Sequence, residues 1–169
     1  MSSGIGLITS SLWPPQSFLL AGGEESHLWY STLSRLTSIT RHHGFIDVLD
    51  ETLPTFGAWI WQDPTTGIIW GRTSDTAGNS TTASGYQLVI NTWYIEKIVF
   101  NSDASRVDFY CYAEDGTELW HDNLTTHIPV AVGEETGHGF IAVNSIEEDL
   151  ALFLIDKMSV LIPDRRPAL

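Results

Sequence analysis

Positive charge is scarce in this chain. Eight Lys plus Arg stand against twenty-one Asp plus Glu in 169 residues, a formal net charge of −13. Binding to nucleic acid or to an anionic membrane surface draws on clustered cations and the counterions they release, so neither is expected as a partner. The acidic residues come singly or in pairs, such as Glu24-Glu25, Glu134-Glu135 and Glu147-Glu148, as on a solvated surface. Cysteine is nearly absent. Cys111 stands alone, so no intrachain disulfide can form, and alternation places it with Val107 and Phe109 as a small buried hydrophobe. No window approaches the roughly 18 apolar residues that span a bilayer. No Lys or Arg precedes Arg35, so the start lacks the charged segment of a signal peptide, and a cytoplasmic location is expected. The sequons at Asn79 and Asn123 carry no weight in that setting.

Reaction signatures are missing too. There is no G-x-S-x-G, no glycine-rich phosphate loop and no dinucleotide fingerprint. Of the six histidines, His42 and His43 are adjacent and would point to opposite sides of a strand. His121, His127 and His138 follow no ligand spacing, so no transition-metal site is expected.

What is present is alternation. Tyr94–Phe100, Val107–Ala113, Thr117–Trp120, Gly139–Ser145 and Ala151–Ile162 place apolar residues at every second position, with a turn at Glu114-Asp115-Gly116. Strands buried on one face call for sheet-on-sheet packing, and 169 residues suffice for one domain with a real core. Upstream, Ala58–Gln62, the turn Asp63-Pro-Thr-Thr-Gly67 and Ile68–Arg72 read as a hairpin. Gly6–Thr9 and Phe18–Ala21 read as edge strands, Phe45–Leu49 as a short strand, and Thr52–Phe56 as a loop. Ser74–Ser84 reads as a polar loop, and Tyr86–Ile90 as a further strand. One stretch admits a short helix: Leu28, Trp29, Leu33, Leu36 and Ile39 approximate a one-faced stripe, with Ser26 as N-cap and Gly44 as stop. Against the helix stand the β-branched and hydroxyl residues of Tyr30-Ser-Thr and Leu36-Thr-Ser-Ile-Thr. The expected fold is therefore all-β: an antiparallel sandwich over residues 1–169 with at most one short helix.

The segment from Tyr94 to Ile162 resembles the galactose-binding-like jelly-roll domains of many carbohydrate-binding modules. Ile95-Glu-Lys-Ile-Val-Phe is similar to the strand that opens their β-core, and Val107–Leu119 to their strand, D-G turn, strand hairpin. Gly139–Ser145 is similar to their penultimate strand. Phe153-Leu-Ile-Asp-Lys-Met-Ser-Val is similar to the closing strand, usually aromatic-x-I-D-D-V-S-V. The resemblance implies a jelly roll that holds a saccharide, and for many members a structural calcium. Asp156 matches the first closing-strand aspartate, but Lys157 replaces the second, and no G-x-F-E segment occurs in the N-terminal half. Because a hard cation needs six to eight oxygens, no cofactor is expected; Asp156 is the ligand to name first should calcium bind.

Seven tryptophans are many for this length, and they suggest contact with a ligand as well as the core. Trp59, Trp61 and Asp63 fall at i, i+2 and i+4, hence on one strand face in steps of roughly 7 Å, with Trp70 on the return strand able to join them. A flat aromatic surface beside a carboxylate grips sugar faces; the same spacing also suits core anchors, with Ile60 and Gln62 outward. A second surface is expected where Asp108, Tyr110 and Tyr112 share a face that pairing brings against Glu118 and Trp120. The functional expectation is a lectin-like module holding a saccharide or other small molecule through Trp59, Trp61, Trp70, Tyr110, Tyr112 and Trp120, as a monomer or a homo-oligomer. The alternative is a cofactor-independent cyclase or isomerase with Asp63, Asp108 or Glu118 as proton donor.

Overall fold

The computed structural model describes residues 6–11, 26–47, 54–131, 136–144 and 153–161. Twelve strands occupy them: β1 (Gly6–Ser11), β2 (Ser26–Leu33), β3 (Ile39–Ile46), β4 (Gly57–Gln62), β5 (Ile68–Asp75), β6 (Gly78–Thr81), β7 (Tyr86–Gln87), β8 (Tyr94–Phe100), β9 (Val107–Ala113), β10 (Glu118–Leu124), β11 (Gly137–Asn144) and β12 (Phe153–Leu161). A seven-stranded sheet runs β1-β11-β3-β4-β5-β6, with β7 also paired to β5; a five-stranded sheet runs β10-β9-β8-β2-β12. All pairings are antiparallel, and the two sheets form a sandwich of the jelly-roll type.

Alternation explains the core. Ile39, Phe45, Ala58, Ile60 and Ile69 on one sheet meet Tyr94, Ile98, Phe100, Val107, Phe109 and Cys111 on the other. Two glycines let the sheets approach. A Cβ at Gly71 would stand 2.4 Å from the Phe109 ring. At Gly44 (φ +143°) it would stand 2.6 Å from the Ala58 carbonyl oxygen and 2.7 Å from Ile98 Cδ1. The hairpin turn forms as its residues demand, with Asp63 N–H donating to the Ile68 carbonyl at 2.9 Å and Gly67 at φ 74°.

Several sequence expectations are corrected. The stretch from Ser26 to Gly44 contains no helix; it is β2, a turn with Ser38 at φ 66°, and most of β3. Trp29 and Leu33 both face the core, because a spacing of four satisfies a strand's period of two as well as a helix's 3.6. The polar run Ser74–Ser84 is not one loop, since β5 continues to Asp75 and β6 returns along it. The strand expected at Tyr86–Ile90 is only Tyr86–Gln87. In the expected strand Phe45–Leu49, Phe45 and Ile46 close β3, while Val48 and Leu49 lie outside the described residues, as do Phe18–Ala21 and the start of the Thr52–Phe56 loop. Gly6–Thr9 lies in β1, an edge strand. Among the described residues no helix is long and apolar enough to cross a membrane.

Candidate functional site

The seven-stranded sheet presents an aromatic and cationic face on the side turned away from the core. Ile60 and Gln62 point inward, fully buried, and Gln62 donates its amide to the Leu36 carbonyl at 2.7 Å. Trp59 and Trp61 therefore point outward. Pairing aligns His42 with Trp61, Trp61 with Trp70, and Trp59 with Arg72, so these side chains share one face. Trp59 is closed off at 2 % exposure, packed with Ile46 and Ile141, whereas Trp61, Trp70 and Arg72 are half-buried. The Arg72 guanidinium lies over the Trp61 ring, 4.1 Å from its centroid, and His42 sits 6.4 Å from Trp59 between ring centroids. Burial first, and then the charge of Arg72, lower the His42 pKa to about 3, so this imidazole is neutral. Three nitrogens of the cluster, His42 Nδ1, Trp59 Nε1 and Arg72 Nε, are buried without a hydrogen-bond partner. Unsatisfied polar atoms are few in native interiors, so three in one patch mark it.

Asp63 does not join this face. The Thr65 amide and the Thr66 hydroxyl each donate to its carboxylate at 2.8 Å and hold it below the usual range, fixing it as a turn residue in its ionised form. That is the wrong state for a proton donor.

The second expected surface is partly rearranged. Asp108, Tyr110 and Tyr112 share the outer face of β9, opposite Val107, Phe109 and Cys111, which are fully buried. Trp120 does not face them. A bulge between Glu118 and Trp120 shifts the parity of β10, and Trp120 packs into the core, its Nε1 donating to Ser84 Oγ at 3.2 Å. His121 takes the outer position, stacked on Tyr110 at 4.4 Å between centroids and 3.0 Å from Asp108 through Nε2. Asp108 also accepts from Arg106 at 2.9 Å, and Glu118 is exposed.

A buried polar chain, missed by sequence reasoning, joins the two sheets. Arg41 donates to both oxygens of Glu96 at 2.8 and 2.9 Å, and His43 Nε2 lies 2.8 Å from Glu96. His43 Nδ1 meets His27 Nε2 at 2.8 Å, and His27 Nδ1 meets His138 Nε2. Glu96 alone would be raised by burial, but Arg41 and then His43 hold it down at about 2. Burial lowers all three histidines, His138 to about 4. The tautomers then follow. A carboxylate only accepts, so His43 donates through Nε2 and accepts at Nδ1, His27 does the same, and His138 donates through Nε2. His138 Nδ1 is the open end, buried and unpartnered. The signal was Glu96, a charge placed in phase with Tyr94, Ile98 and Phe100. As expected, adjacent His42 and His43 face opposite sides, one to the outer face and one to this chain.

Asp156 is the bulged residue of β12, exposed beside exposed Lys157, and among the described residues no group of three or more His, Cys, Asp or Glu converges to hold a metal ion.

Comparison with known proteins agrees with the jelly-roll reading. No curated protein matches the chain in sequence. Among solved structures, a protein of unknown function, SO2946 from Shewanella oneidensis MR-1, superposes with a TM-score of 0.62 at 23 % identity, covering 93 % of this chain and 68 % of that one. The carbohydrate recognition domain of Emp47p gives 0.61 at 15 % identity over 91 % of this chain and 78 % of that one. A sialidase gives 0.54 at 12 % identity; 95 % of this chain matches, spanning 14 % of the sialidase. These similarities establish the fold. The family described as SO2946-like, C-terminal domain, matches residues 9–156, and the chain belongs to it.

Proposed function

We propose that this domain binds a saccharide on the outer face of its seven-stranded sheet. The observation that carries the reading is the cluster itself: half-buried Trp61 and Trp70 in register, Arg72 over Trp61, and three buried nitrogens that no protein group satisfies. A pyranose presents an apolar C–H face and a rim of hydroxyls. An indole surface beside the half-buried Arg72 guanidinium complements both. Trp61 and Trp70 supply the platform; His42 and Trp59 form the floor. The Emp47p domain, described as a carbohydrate recognition domain, shares the fold and supports the reading.

The competing surface, Tyr110, Tyr112 and His121 on the other sheet, has its charged group satisfied, since Asp108 accepts from Arg106 and pairs with His121. Screening the purified protein on a glycan array, followed by titration of the best hit, tests the choice. Trp61→Ala is expected to weaken binding about tenfold or more, ~1.4 kcal/mol, and Tyr110→Ala to leave it intact. The reverse result would move the site to the five-stranded sheet, and an array without any hit would end the saccharide reading.

A further inference from the structure

Among the described residues Arg72 has no counter-charge. Two other arginines are paired: buried Arg41 with Glu96 at 2.8 Å, and exposed Arg106 with Asp108 at 2.9 Å. Arg72 is half-buried in a protein of net charge −13, yet among the described residues no carboxylate pairs with it, and its Nε is buried without an acceptor. Its pKa is lowered by burial, and its field reaches the neighbouring His42. The acidic groups nearest in sequence are committed: Asp75 accepts from the Ala77 and Gly78 amides and pairs with His127 at 2.9 Å, and Asp63 caps its turn.

The side chain is also held in place. Its guanidinium carbon lies over the Trp61 ring, 4.1 Å from the centroid, a cation–π contact that restrains the group. The guanidinium fork matches a planar carboxylate, which it can hold through two parallel hydrogen bonds. A restrained, half-desolvated cation with no carboxylate partner among the described residues is suited to an anionic ligand group, since the ion pair forms where water screens it least.

We infer that the saccharide carries a carboxylate, as uronic and sialic acids do, and that Arg72 receives it beside the Trp61 platform. This rests on the saccharide reading above. Arg72 sets the ligand class; Trp61 and Trp70 hold the ring.

The test titrates the full chain with carboxylated sugars and neutral counterparts: trigalacturonate against its methyl ester, and 3′-sialyllactose against lactose. An array of neutral, carboxylated and sulfated glycans accompanies it. The wild type is expected to hold a carboxylated sugar at least tenfold more tightly than its neutral partner. Arg72→Gln should erase that difference while its near-UV circular dichroism stays native, and Arg72→Lys should keep part of it, because the charge remains but the fork is lost. Equal binding of neutral and carboxylated sugars by the wild type overturns the inference and leaves the saccharide site standing. So does a preference for sulfated glycans alone, or an Arg72→Gln protein that loses neutral and carboxylated sugars alike. Binding to no sugar of any class overturns both readings.

Discussion

Gly71 shows how much one missing methyl can decide. It lies on the inner side of β5 directly under Phe109 of β9, and a Cβ there would fall 2.4 Å from the ring. Phe109 is fully buried and has no space to retreat into. Gly71→Ala therefore drives β5 and β9 apart. We expect a loss of about 1–3 kcal/mol, read as a lower urea midpoint at unchanged slope. An alanine as stable as the wild type would mean that the sheets sit further apart than described. The outer face of the same strand carries Trp70 and Arg72, so this contact also sets the height of the candidate site.

At the level of elements, β10 explains both a success and a failure of sequence reading. Strands β8 to β12 were legible because their apolar residues alternate, and the Asp63–Gly67 hairpin because its turn chemistry is specific. Trp120 was misassigned because alternation assumes an unbroken register. The bulge makes Glu118 pair with Tyr112 and Trp120 with Cys111, leaving Leu119 as the extra residue, and no local sequence signal announces it. Likewise Trp59, Trp61 and Trp70 were visible as a periodic set. Arg72 and His42 became part of it only once pairing across β3, β4 and β5 was known. If the bulge is the whole cause, removing Leu119 should restore regular pairing. The deletion variant is expected to fold, keep Trp120 inside and retain the Tyr110–His121 stack, losing about 1–3 kcal/mol from the half-buried leucine. Nuclear Overhauser contacts between Tyr110 and His121 report it; their disappearance in a folded variant would show that Leu119 sets the register beyond the bulge.

Across the whole molecule, the chain from Arg41 to His138 ties stability to pH. It crosses the sandwich, from β3 and β11 on one sheet to β2 and β8 on the other, so its protonation state is a property of the assembled core. His27, His43 and His138, together with His42 on the outer face, have folded pKa values below 6.5, with His138 at about 4 and His42 at about 3. Above pH ~6.5 these imidazoles are neutral whether folded or not, and stability does not depend on them. As pH falls, the unfolded chain takes up protons that the folded chain refuses, so stability drops by up to ~1.4 kcal/mol per pH unit for each histidine. Between pH 7 and 5, His42 and His138 alone remove on the order of 4 kcal/mol, a large share of the ~5–15 kcal/mol that holds a typical domain together. Glu96 acts in a lower window. Its folded pKa of about 2 lies below the usual 4.5, so its stabilisation is complete above pH 4.5 and is lost as pH falls through 2. Urea midpoints from pH 8 to 4 should thus stay level above about pH 7 and fall steeply below about 6, before Glu96 begins to titrate. His138→Gln should shallow that fall by close to one proton. A profile flat from pH 7 to 5 would mean that these histidines take up protons in the folded protein as readily as in the unfolded chain, and the run of neutral imidazoles from His138 to Glu96 would have to be given up.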